Sequence, residues 1–259
     1  MTCAAAGVQP APRAEALWPE VRTALGHLRA ALAPGEFNPQ ADIAGFRIAM
    51  ADAVATTFVP AQVEQIERTG ALANLRVLSL TTRGPSKMLE RGEPDLVVGH
   101  FPEAVAALSI EGGDASLRHH PFQESGFVCV LRQGHPLAKD KLTLDDDCAA
   151  HHLLVSFSGC ANGRADQALA ALGRERCVAL TVNQYFTAGK VVANCSLLTV
   201  LPASFMNAAG FQEKVLARRL PLAMDALHVT MLWHMRHDRF SSQPWLRARL
   251  IEAAQAATD

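Results

Sequence analysis

Short apolar runs recur along this chain, each bounded by turn-forming residues and neighboured by stretches of helical spacing. The segment Pro85–Phe101, PSKMLERGEPDLVVGHF, shows the repeating unit. Lys87 to Arg91 reads as a short helix end, and Gly92 can take the left-handed conformation that stops it. Glu93-Pro94-Asp95 is turn chemistry, because proline fixes φ and blocks a continuing helix. Leu96-Val97-Val98-Gly99 then reads as a buried strand of a parallel sheet. His100-Phe101-Pro102 is the loop at its carboxyl end, the edge where open α/β sheets bind ligands.

The same reading predicts strands at Gly45–Ala51, Leu75–Leu80, Phe127–Leu131, Leu153–Val155, Val178–Val182, Leu197–Leu201 and Leu227–Trp233, with Leu117–Gln123 extended. Helices are expected at Val59–Arg68, Leu144–Ala149, Ala165–Leu172, Phe186–Asn194, from Pro202 through Ala209, and at Pro244–Ala254. Thr143 can cap its helix, with Asp145 to Asp147 at the positive end. Strands alternating with helices imply two α/β units, each around a mostly parallel sheet.

Ahead of these units, residues 12–33 predict a separate helix. Val21, Leu25, Leu28 and Leu32 fall on one coiled-coil-like stripe, which suits either packing on the chain's own domain or a helix of a second copy. Pro19 belongs in a first turn, so the well-formed part is expected to start near Trp18. Residues 34–39, Pro-Gly-Glu-Phe-Asn-Pro, read as a linker.

Composition narrows the classes. The chain has 259 residues, 49% hydrophobic and 19% charged, which suits one large globular domain or two ordinary ones. A net charge of −1 argues against nucleic acid over a large surface. No apolar run approaches the roughly 20 residues of a membrane span, and the N-terminus lacks a secretory signal. Six cysteines without a CxxC pair read as reduced thiols in the cytoplasm.

Taken in order, FRIAMAD (46–52), LERGEPDLVVGHFP (89–102), FVCVLRQGHPLA (127–138), LLTVLP (197–202), LWHMRHD (232–238) and the following WLR resemble the effector-binding region of LysR-type transcriptional regulators. The likeness spans roughly residues 12–252. It implies two periplasmic-binding-protein-like (type 2) subdomains joined by two crossing strands and preceded by a linker helix. On that pattern, 1–36 hold the remnant of a DNA-binding domain plus the linker helix. Residues 43–126 with 234–259 form subdomain one, and 127–233 form subdomain two. The resemblance also implies a small-molecule effector in the cleft, and dimers or tetramers joined through the stripe or the subdomains. It implies DNA contact only through a winged helix-turn-helix domain, which is expected to be missing here. A solute-binding protein without a DNA role is the alternative.

The resemblance also orders the candidate chemistry. The turn Met50-Ala51-Asp52 often carries an effector-holding hydroxyl in the family. Here Ala51 stands in that place and leaves backbone donors, while Asp52 suits capping of the helix that follows. His100 and Phe101 reach the cleft by topology, Phe101 either as an aromatic wall or as core. Ser156, Ser158, Cys160 and Asn162 follow the first strand of the second unit. Asn162 and Tyr185 match positions resembling effector-binding polar residues of the branch that senses aromatic acids, where histidines are common. The effector-binding set is therefore Ala51, Asp52, His100, Phe101, Ser156, Asn162 and Tyr185, lined by few fixed charges. This favours a small organic, acidic effector. No GxSxG elbow or triad is present, so no enzyme is expected. The pairs His119-His120 and His151-His152 cannot both face one site on a strand, so neither a metal nor another cofactor is expected.

Overall fold

The computed structural model describes residues 11–32, 37–111, 116–157 and 159–256. The stretch before Ala11, residues 33–36 of the expected linker, Ser158, the side chain of Leu32 and residues 257–259 lie outside the described part. In chain order the elements are α1 (Pro12–Leu32), β1 (Ala44–Met50), α2 (Asp52–Thr69), β2 (Ala73–Ser79), α3 (Ser86–Arg91), β3 (Leu96–Gly99), α4 (Pro102–Glu111) and β4 (Leu117–Ser125). They continue with β5 (Phe127–Arg132), α5 (Leu144–Ala149), β6 (His151–Val155), α6 (Arg164–Ala171), β7 (Cys177–Val182) and α7 (Tyr185–Val192). The last are β8 (Leu198–Pro202), α8 (Ala203–Ala208), β9 (Val215–Arg219), β10 (Leu227–His234) and α9 (Ser242–Ala256).

These strands form two five-stranded sheets, ordered β2-β1-β3-β10-β4 and β7-β6-β8-β5-β9. Both sheets are mixed, with four strands running one way and a single strand, β10 or β5, reversed, as the expected mostly parallel sheets allow. In the first, β1 pairs parallel with β2 and β3, while β10 runs antiparallel to β3 and β4. In the second, β6 pairs parallel with β7 and β8, while β5 runs antiparallel to β8 and β9. The cause is the crossing. The chain leaves the first sheet through Ser125-Gly126-Phe127 and returns as β10, so each sheet receives a strand that enters from the other. Leu227 faces Ser125 and His234 faces Leu117, which puts residues 227–233 in the first sheet and corrects their expected place in the second unit.

Burial on both faces explains the continuous apolar strands. Phe46, Ile48 and Met50 of β1 turn toward α2 and α9, where Phe58, Leu246 and Leu250 meet them. Ala49 and Val97 take the other face with Leu89, Phe101 and Leu232. Each large side chain so buried contributes about 1.5–3 kcal/mol. The second sheet repeats the plan, with Val130, Leu153 and Leu201 beneath Ala188, Val192 and Phe205.

Two helices start earlier than their sequences suggest. α2 begins at Asp52 instead of Val59 and carries Pro60 inside, because Ala53, Val54 and Phe58 are anchored in the core. Edge-on packing of Phe58 on Phe122, with centroids 5 Å apart to the nearest ångström (4.7 Å), fixes its direction. α1 begins at Pro12, with Pro19 in its interior. This stretch is exposed, so the carbonyl that Pro19 leaves unbonded can meet water, and Thr23 Oγ1 donates to the Pro19 carbonyl at 2.9 Å. Gly92 ends α3 at φ 62°, with its N–H on the Leu89 carbonyl, as the sequence requires.

Candidate functional site

β1, β3, β6 and β7 end at Met50, Gly99, Val155 and Val182. Ala51, at φ −67° and ψ 151°, turns β1 directly into α2 and offers no side-chain cap. Asp52 does not cap its own helix. Its Oδ2 accepts from the backbone N–H of Phe186 in the first turn of α7, at 3.2 Å. The capping position of α7 is Gln184, whose side chain makes no cap hydrogen bond. A carboxylate from the first sheet therefore satisfies an orphan donor of a helix on the second. Ala53 joins the apolar cluster of Ala188 and Val192, which closes the two units on each other here. Burial raises the Asp52 carboxyl above its usual range, and the N–H groups of Phe186 and Tyr185, with those of Ala53 and Asp52 itself, pull it back. Its Oδ1 is buried without a hydrogen bond.

His100, just past β3, lies at the crossing strands. Arg164, the first residue of α6, donates to His100 Nε2 at 3.0 Å. A guanidinium is only a donor, so Nε2 is the acceptor and Nδ1 carries the proton. Nδ1 then donates to the His228 carbonyl at 2.9 Å. Arg164 also donates to the carbonyls of Asp225 (3.0 Å) and Ala226 (3.3 Å) and lies over the Phe127 ring. One arginine thus holds helix α6 to both crossing segments and to the edge of β3. Burial, and the nearby charge of Arg164 and Arg83, keep the His100 imidazole below its ordinary pKa.

Tyr185 opens α7 and is the chain's single tyrosine. Its ring packs edge-on against Phe157 at 5.5 Å and tilts on Phe205. Burial, with the Asp52 charge, pushes the phenol up to about 12, against the pull of Arg83 and Arg164. Ser156 continues the strand pairing through its N–H to the Val182 carbonyl and is half-buried. Asn162 and Cys160 are exposed on the following loop.

The expected set is therefore only partly brought together. Ala51, Asp52 and Tyr185 meet at the two helix starts, and His100 stands with Arg164. Phe101 is 1% exposed and belongs to the core with Leu80 and Leu117, which removes the aromatic wall. The expectation of few fixed charges also fails, since Arg83 and Arg164 act on both His100 and Tyr185. Apolar periodicity carries no sign of where a surface arginine points. The only hint was the place of Arg164, directly after the loop expected to face the cleft. Among the described residues, no group of three or more His, Cys, Asp or Glu side chains is placed to hold a metal. The pair His151-His152 is split by the strand: His151 is exposed, and buried His152 donates from Nε2 to the Asp147 carbonyl.

Two mixed sheets, joined by two crossing strands and meeting at their strand ends, define a two-lobed ligand-sensing module of the periplasmic-binding-protein kind. Residues 44–255 match the family model described as the LysR substrate binding domain, and the chain belongs to that family. It is the effector-sensing region of a LysR-type transcriptional regulator. The transcriptional activator NahR of Pseudomonas putida is 24% identical over 247 residues, covering 95% of this chain and 79% of that protein. The probable transcriptional regulator PA0477 of Pseudomonas aeruginosa shares the fold at a TM-score of 0.74 and 22% identity, covering 93% of this chain and 78% of that one. The effector binding domain of QuiR, solved in complex with shikimate, shares it at a TM-score of 0.62 and 14% identity, covering 83% of this chain and 99% of that one. Among the described residues, no helix is long and apolar enough to cross a membrane.

Proposed function

We propose that the chain senses a small organic acid between its two sheets and turns none over. The observation that carries this reading is the pairing of Arg164 with His100 at the strand ends, with Arg83 acting on the same histidine and on Tyr185. Two cations near a half-buried tyrosine and the uncapped start of α2 suit a carboxylate, which such donors bind strongly. The Asp52 carboxylate on the α7 start supports the same chemistry, because an anion already occupies one helix start. QuiR's complex with shikimate, an organic acid anion, agrees with it. An acid bound at Arg164 would draw on the hydrogen bonds that hold the crossing segments, and so shift the balance between two arrangements of the units. Among the described residues, Cys129, Cys148, Cys177 and Cys195 form no disulfide, which suits work in the cytoplasm.

Calorimetry with a panel of aromatic and alicyclic carboxylates tests the reading. Arg164→Gln is expected to weaken the acid that binds by roughly tenfold, the worth of one charge-assisted hydrogen bond. Tyr185→Phe is expected to cost about 1 kcal/mol. Unchanged affinity in Arg164→Gln, Tyr185→Phe and Asn162→Ala together would place the site elsewhere.

A further inference from the structure

A cavity of about 840 Å³ lies between α1 and the first sheet, at the amino end of the parallel strands. Gly45, Asp95 and His234 mark that end, whereas the acid site lies past Met50 and Gly99. A seven-residue strand separates the two sites by about 20 Å. The volume falls within the roughly 300–1,000 Å³ of small-molecule sites.

Its wall carries several guanidinium groups, with the Glu90 and Asp95 carboxylates among them. Arg22 of α1 donates to the Glu90 carbonyl at 3.2 Å, and Arg236 donates to the same carbonyl at 2.7 Å and to that of Leu89. The carbonyls at the end of α3 thus gather two guanidinium groups from distant parts of the chain. Arg47 is paired with Asp95 and Arg91 with Glu93, so these two contribute little net charge. Burial and then the Arg22 charge lower the pKa of Arg236 against the opposing pull of Glu90, and burial with the neighbouring cations holds the His234 and His237 imidazoles at about 4.

Polar capacity in this wall is also unspent. His237 is 8% exposed and its Nε2 has no hydrogen bond. Arg236 Nε is likewise buried without one. Burying such groups costs free energy unless a ligand or water meets them. Trp18, Leu25 and Phe240 supply an apolar side to the same cavity. On α1, Trp18, Arg22 and Leu25 are spaced four and three residues apart, so one helix face presents ring, cation and methyl groups together.

We infer that this cavity is a second ligand site, distinct from the acid site, for an organic dianion with an apolar body. The charged head takes the Arg22 and Arg236 guanidinium groups. The body lies against Trp18 and Phe240. Because α1 supplies Trp18 and Arg22 while the turn after β10 supplies Arg236 and Phe240, occupancy fixes the angle at which α1 leaves the sensing module. The site is thereby suited to a signal additional to the one read between the sheets.

Phenyl phosphate is the probe, titrated by calorimetry into the full chain carrying fluorotyrosine at its single tyrosine. The expected result is saturable binding, weakened at least roughly tenfold in Arg22→Gln by loss of one charge-assisted bond. Phenol is expected not to bind, inorganic phosphate to bind more weakly, and the Tyr185 fluorine resonance to stay unmoved. Arg22 is half-exposed, so Arg22→Gln is expected to fold. Arg236→Lys, which keeps the charge and loses the forked geometry, serves as the second variant and is expected to bind more weakly. Overturning results are the absence of saturable heat at millimolar probe, equal affinity in Arg22→Gln, or a Tyr185 shift that tracks saturation and moves the anion to the acid site.

Discussion

Asp52 shows how a single side chain joins the two units. Its carboxylate is desolvated, and its pKa is raised. For an acid, a raised folded value means that the stabilising contribution is present below its ordinary pKa and fades as pH rises through the raised one. At neutral pH the ionised group is therefore a cost. Asn keeps an acceptor for Phe186 N–H and removes the charge, so Asp52→Asn is expected to melt higher than the parent at pH 7.5 and to lose that advantage near pH 4. Scanning calorimetry at the two pH values decides this. His234 and His237 give the opposite sign. Both are held at about 4, first by burial, with Arg236 adding charge repulsion at each. His234 also feels Arg22, while His237 faces Arg47 and Arg247 against the opposing pull of Asp95. The folded chain keeps them neutral where the unfolded chain takes up protons. Stability is therefore expected to fall between about pH 6.5 and pH 4, with a shallower slope in His237→Gln when melting temperatures are compared across that range. At this scale the sequence was legible where the chemistry is local. The strand end before His100 followed from neighbouring residues and the start of α7 was placed within one residue, whereas the turn at Ala51 came only from the family resemblance. Arg83 and Arg164 were not legible, because their partners lie far off in the chain. Nor was the reach of Asp52 to the start of α7.

Elements were legible where one local signal sufficed. Thr143 caps α5 through a reciprocal pair with Asp146, and each half of that pair spans three residues. Gly92 stops α3 for a similarly local reason. α4 and β9 were missed: Pro102 starts α4 at a place also readable as a loop, and VLARR offers β9 only a brief apolar run. On α1 the expected stripe divides. Leu25 turns with Trp18 to the cavity, whereas Val21 and Leu28 share the neighbouring face with Leu17 and are 46% and 57% exposed. Apolar side chains so displayed favour association, and we propose that this face joins a second copy. The double variant Val21→Lys, Leu28→Lys is expected to lower the mass measured by light scattering toward the monomer. A parent chain already monomeric at tens of micromolar, roughly the working range for weak interfaces, would contradict it.

At the scale of the whole molecule, apolar runs marked most of the strands and set them between helices, but they carried no direction. Direction came from the two crossings, which reverse one strand in each of the two expected mostly parallel sheets. The same crossings put Phe127 and residues 225–226 beside Arg164, so the charged cluster sits where one unit would pivot on the other. Acid sensing between the sheets is the central claim, and Tyr185, as the single tyrosine, reports on that place alone. The most direct measurement is fluorine NMR of the fluorotyrosine-labelled chain, titrated with an organic acid whose binding calorimetry has established. The Tyr185 resonance is expected to shift in step with calorimetric saturation, and the shift is expected to need higher acid concentrations in Arg164→Gln. An acid that saturates the chain by calorimetry and leaves that resonance where it stood would contradict the claim.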